Sequence, residues 1–125
     1  MSRFTKINLK ELEPGGTEDV ETRFARSHLD SEHLGLSLFR YRPGYRSRIG
    51  HSHGEQEEVY LVVGGSGRIK LDDQIVELRP WDAVRVAPST VRAFEAGDDG
   101  LEFVAIGSDR PEGGDGVRVD DWWSD

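Results

Sequence analysis

The feature that most constrains this chain is its rhythm of short apolar runs separated by turn residues, with no long segment of 3.6-residue period. Leu34, Leu36 and Leu38 alternate with Gly35, Ser37 and Phe39 before Pro43-Gly44, which reads as a strand ended by a turn. Val59 to Val63 is the longest uninterrupted apolar stretch, at five residues, and its β-branched and aromatic character predicts a buried strand. Arg68 to Leu71 and Gln74 to Leu78 flank Asp72-Asp73, which predicts a hairpin with a tight acidic turn. After the turn Arg79-Pro80-Trp81-Asp82, the runs Ala83 to Ala87, Val91 to Glu95 and Leu101 to Ile106 complete the series. Gly64-Gly65-Ser66-Gly67 is followed by neither Lys-Ser nor Lys-Thr and leads into a strand, so it reads as a strand-connecting turn rather than a phosphate loop. Strand signals about 8 to 12 residues apart predict an all-β sandwich or barrel.

With 125 residues the chain is expected to form one domain around one core. Residues 34–106 carry the regular strand series. Residues 1–33 read as an N-terminal arm of the same domain, with a strand around Val20 to Ser27. Residues 107–125 form a Gly-rich tail whose six carboxylates and two arginines predict a solvated segment. Trp122-Trp123 is the exception, because two large rings are costly to leave in water; they are expected to pack on the barrel or on a neighbouring subunit. A net charge of −8 repels phosphate backbones and anionic bilayers, so neither nucleic acid nor membrane is an expected partner. The absence of cysteine excludes disulfides, thiolate metal sites and a cysteine nucleophile. The N-terminal residues lack a signal-peptide apolar run, and a cytoplasmic location is the expectation.

One cluster carries chemistry. His51-Ser52-His53 sets two imidazoles on the same face of an extended chain, with Cα atoms about 6.6 Å apart. Glu58 follows at the start of the Val59 to Val63 strand, after a connection short enough for a hairpin. If Glu58 faces inward, Tyr60 and Val62 share its wall while Glu57 faces away. Two histidines and one carboxylate with open positions suit non-haem Fe(II), with Mn, Ni, Co and Zn as competitors. Ser66 lacks the glycine framework of a nucleophile elbow. Arg40, Arg42, Arg46 and Arg48 share one side of an extended segment, where salt bridges to nearby acids are the simplest expectation and a phosphate-bearing ligand the alternative.

Residues 44–94 resemble the cupin superfamily, small jelly-roll barrels of the double-stranded β-helix type. The first cupin motif runs Gly, five residues, His-x-His, three or four residues, Glu, six residues, Gly. His51, His53, Glu58 and Gly65 match it, and Gly44 fits with six intervening residues. The second motif, Gly, five residues, Pro-x-Gly, two residues, His, three residues, Asn, is absent. Aligned on the apolar pattern, its positions hold Trp81, Ala87, Ser89, Arg92 and Ala96; a one-residue shift that uses Pro88 puts Ala93 at the histidine.

The resemblance implies a metal site of His51, His53 and Glu58 at the barrel mouth, without the family's third histidine. Arginine has no lone pair for a metal. At about 5 Å and an effective dielectric of 20, its charge repels a divalent ion by on the order of 6 kcal/mol, which Glu58 offsets in part. A divalent ion (Fe, Mn, Ni or Zn) is therefore expected at low occupancy or not at all. Beside two imidazoles, Arg92 is a receptor for carboxylate or phosphate, or simply a partner of Glu58. Arg92, Tyr60 and Phe94 are the residues expected to meet a small-molecule ligand. Either a metal-dependent enzyme on a small anionic substrate or a metal-free module for a carboxylate, sugar or phosphate fits these residues. Small cupins also imply a homodimer, to which the strand around Val20 to Ser27, with Phe24, could contribute.

Overall fold

The structure, a computed structural model, describes residues 3–125. Its strands are β1 (Gly15–Gly16), β2 (Val20–Phe24), β3 (Gly35–Tyr41), β4 (Gly50–His53), β5 (Glu58–Leu71), β6 (Gln74–Leu78), β7 (Ala83–Val86), β8 (Arg92–Gly107) and β9 (Gly116–Val119), with a 3-10 turn (Leu9–Glu11) and one turn of α-helix, α1 (Arg26–Leu29). Every pairing is antiparallel. Among the described residues no helix is long and apolar enough to cross a membrane.

Two long strands organise the barrel. β5 has 14 residues and β8 has 16, and they pair with each other along most of their length. The first half of β5 and the second half of β8 lie in one layer with β7, β3, β2 and β1. Their other halves lie in a second layer with β6, β4 and β9. Each long strand thus passes from one layer to the other, closing a jelly roll. The expected break at Gly64-Gly65-Ser66-Gly67 is therefore not a turn between strands, and the two runs expected at Val91 to Glu95 and Leu101 to Ile106 are, from Arg92 on, one strand. The glycines mark the bend: register shifts fall between Val62 and Gly64 and between Gly65 and Gly67.

Gly65 has φ +72°, and a Cβ there would lie 2.0 Å from the Gly100 carbonyl oxygen. Both the left-handed backbone and the close approach of β8 require glycine at this last position of the first motif. Gly65→Ala is expected to cost about 2 kcal/mol or more in urea unfolding. A loss below about 0.5 kcal/mol would mean that the bend relaxes around a side chain.

Inward-facing side chains from both layers, among them Tyr60, Val62, Ile69, Leu78, Val86, Phe94, Leu101 and Phe103, form one core. Phe94 and Phe103 stack with centroids 4.1 Å apart, and Tyr60 meets Phe94 edge-on at 4.9 Å. In the N-terminal arm, β2 pairs with β3 of its own chain, and the chain turns into α1 two residues after Phe24. Arg42 and Arg46 form salt bridges to Asp19 and to Glu95 and Asp125.

The tail does more than extend into solvent. β9 pairs with β4 from Gly50↔Val119 to His53↔Gly116. Beyond it Lys70 lies 4.4 Å from the Trp122 ring centroid and donates to the Trp122 carbonyl. Trp123 donates from its indole to the Ser47 carbonyl and lies beneath Arg46 and Arg68. Both tryptophans thus pack on the barrel of their own chain.

Candidate functional site

The site stands where β4 ends and β5 begins. In the extended β4, His51 and His53 face the same side, with ring centroids 5.0 Å apart. The connection to β5 brings Glu58 across from them, its side chain 13% exposed. Tyr60 and Val62 follow on the same inward face, while Glu57 turns outward to Arg85. His53 Nε2 lies 3.2 Å and His51 Nε2 3.6 Å from Glu58 Oε1. One ligand atom from each residue can be chosen so that all three lie within 4.8 Å of one another. Bonds of about 2.0 to 2.2 Å to a single ion place neighbouring donors roughly 3 to 3.5 Å apart, so the two carboxylate-imidazole distances fit such an ion.

Behind Glu58 lies the residue that sets its charge. Arg92 is 0% exposed, and its guanidinium donates to Glu58 Oε1 (2.6 Å), Tyr60 Oη (3.1 Å) and the carbonyls of Pro88 (3.3 Å) and Thr90 (2.8 Å). Tyr60 donates to the same Glu58 oxygen at 2.6 Å. Burial alone would raise the Glu58 pKa, but the hydrogen bonds from His51, Tyr60 and Arg92 and the charge of Arg92 outweigh it and hold the carboxyl at about 2. Burial, with the neighbouring Glu58 carboxylate, pushes the Tyr60 phenol far above its ordinary value. Glu58 is thus an ion, and Tyr60 a donor, across the ordinary pH range.

A cavity of about 260 Å³ opens in front of this group. Phe24, Leu36, Phe39 and Ala105 form an apolar wall, His51, His53 and Glu58 a polar one, and Arg26 and Arg110 add two guanidinium groups. Arg26 lies across Gly35, where a Cβ would come within 2.8 Å of its Nη2, and it donates to the Ser108 carbonyl at 3.4 Å. Arg92, Tyr60 and Phe94 are not among the residues lining this cavity. They stand behind Glu58, at the junction of site and core.

The residues that sequence reasoning missed are Arg26, Arg110 and Asp115. Asp115, just before β9, lies with Oδ1 2.8 Å from His53 Nδ1, while Oδ2 accepts from the amides of Glu55 (2.6 Å) and Gln56 (2.9 Å). The Glu55 amide chiefly, with the Gln56 amide and the His53 side chain added and burial opposing, holds this carboxyl at about 2. The alternation in Gly116-Val117-Arg118-Val119 was the available sign of a strand in the tail. Nothing local tied that strand to β4. His28 and His33 are elsewhere; His33 meets Asp109 and Glu32.

No family model matches the chain, and no curated protein matches it in sequence. Solved structures do match in shape. A cupin protein from Bacteroides fragilis superposes with a TM-score of 0.74 at 23% identity, covering 89% of this chain and 88% of its own. The chain has the cupin fold. KdgF from a Halomonas species gives 0.71 at 18% identity over 86% and 96% of the two chains. A sugar phosphate isomerase of the cupin superfamily from Silicibacter pomeroyi gives 0.72 at 20% identity over 85% and 76%.

Within the cupin frame, the two alignments of the second motif separate physically. Arg92 is the register partner of His51 across β4 and β8, and its side chain points inward at Glu58. Ala93 pairs instead with Lys70. The Arg92 alignment is the one that sets a residue of the second motif beside the histidines. It also places Trp81 at the motif's first glycine, and Trp81 has φ +75°, the left-handed conformation that glycine accommodates without strain.

Proposed function

We propose that the barrel mouth is a small-molecule site in which His51, His53 and Glu58 hold a divalent ion and the adjoining cavity receives a small anionic ligand. The observation that carries this reading is the convergence of three ligand atoms at the wall of a cavity that also presents two guanidinium groups. An ion there would supply a Lewis acid with open positions for a ligand oxygen. The chain's own residues supply the rest. Glu58 brings a fixed negative charge, and Arg92 and Tyr60 hold its orientation. Arg26 and Arg110 favour a carboxylate or phosphate over a neutral molecule. The Phe24 and Phe39 wall covers the apolar part of the ligand. Arg92 lowers the affinity for the ion, because its positive charge shares the oxygen that the ion would use.

Calorimetric titration of metal-stripped protein with Mn²⁺, Ni²⁺ and Zn²⁺ tests the metal, and titration with small carboxylates and sugar phosphates tests the ligand. One equivalent of metal is expected to bind, with affinity reduced about tenfold or more in His51→Ala, since one of three ligands is lost. Carboxylate or phosphate binding without any metal would support a metal-free binding module in its place. Neither ion nor anion binding would remove the cavity from consideration.

A further inference from the structure

Two ring nitrogens of His53 face two different carboxylates, and only one of those carboxylates comes from β5. Nε2 lies 3.2 Å from Glu58 Oε1 and Nδ1 lies 2.8 Å from Asp115 Oδ1. Asp115 is itself held in place. Its Oδ2 accepts two backbone amides from the loop between His53 and Glu58, its carbonyl accepts the Gly54 amide at 3.2 Å, and the next residue, Gly116, pairs with His53. Both carboxylates only accept hydrogen bonds, and the contact to Asp115 is the shorter of the two, so when the neutral ring presents one nitrogen to an ion it is Nδ1 that keeps the proton and Nε2 that is bare. Nε2 then faces Glu58 Oε1 on the side of the His51, His53 and Glu58 group.

We infer that Asp115 is a positioning residue of this centre: it fixes His53 as the Nδ1–H form, so that Nε2 is the nitrogen presented to an ion, and the C-terminal segment thereby completes the site. This rests on the proposed metal reading for its purpose. The tautomer assignment rests on the shorter contact of His53 to Asp115. A carboxylate that hydrogen-bonds the outer nitrogen of a ligating histidine orients the ring and raises its basicity, and losing one typically costs about 10- to 100-fold in metal affinity.

Asp115→Asn separates this role from loop anchoring. Both loop amides donate to one oxygen, so the asparagine oxygen is held at that place and its NH₂ is turned toward His53 Nδ1. Two donors cannot face each other, and His53 must give up the Nδ1 proton and carry one on Nε2 instead. The full-length protein labelled with ¹⁵N-histidine, metal-free at pH 8, reports the state of Nδ1 through its chemical shift. Wild type is expected to show a protonated Nδ1, and Asp115→Asn a bare one, with the Glu55 and Gln56 amide signals little moved. Zn²⁺ affinity should fall about 10- to 100-fold in the variant. A protonated Nδ1 in both proteins, or Zn²⁺ affinity within about twofold of wild type, would overturn the inference. So would a bare Nδ1 in wild type, a measurement that needs no variant to fold. If wild type binds no Zn²⁺, the metal reading fails, while the nitrogen shifts still decide whether Asp115 sets the tautomer.

Discussion

Arg92→Met is expected to lower the unfolding free energy by about 3 to 5 kcal/mol, the usual cost of removing one partner from a buried ion pair. For a domain of this size that corresponds to a fall in Tm of roughly 10 to 20 °C. The size of the effect comes from what stays behind. Glu58 remains 13% exposed, and Tyr60 is left to hold the carboxylate without a cation. The Pro88 and Thr90 carbonyls lose their guanidinium donor as well. Glu58→Gln combined with Arg92→Met should cost less than the sum of the single changes, because the second substitution removes the charge that the first left uncompensated. Thermal and urea unfolding of the four proteins provide the check. An Arg92→Met loss below about 1 kcal/mol, or strict additivity, would show that the carboxylate finds water when the arginine is gone.

The same residue shows how far the sequence could be read. His51, His53 and Glu58 were legible because a two-residue alternation and a hairpin-length connection are local, and strand geometry alone brings their side chains together. Arg92 was legible as a neighbour of that group through its place in the second motif, but its exposure was not. Which of its partners is ligand and which is protein depends on Tyr60 and the Pro88 to Thr90 turn meeting it from other elements. The strand positions were largely legible. The continuity of β5 and β8 was not, since Gly64 to Gly67 and Gly97 to Gly100 carry the residues of ordinary turns while bending two strands that stay paired. Arg26 and Arg110 reach the cavity, and Asp115 reaches His53, by long-range pairing and packing, for which a single sequence has no local mark.

Glu58 also gives the protein an acid limit of predictable sign. Its carboxyl titrates at about 2 in the folded protein against an ordinary value of 4.5. As pH falls, the unfolded chain takes up this proton first, so the stability that Glu58 contributes is complete above about pH 5 and is lost as pH falls toward 2. The contribution is on the order of 3 kcal/mol, since each pKa unit is worth about 1.4 kcal/mol. Asp115 is shifted in the same direction and titrates in the same window, so the wild-type slope alone cannot isolate Glu58. The difference between wild type and Glu58→Gln can. Measured by urea unfolding with a chelator present, that difference should be largest near pH 6 and shrink steadily below pH 4, because protonation turns the wild-type carboxylate into a neutral group much like the glutamine amide. A difference that stays constant from pH 6 to pH 3 would mean that Arg92 and Tyr60 do not hold Glu58 as an ion, and with it would go the fixed negative charge on which the proposed metal site depends.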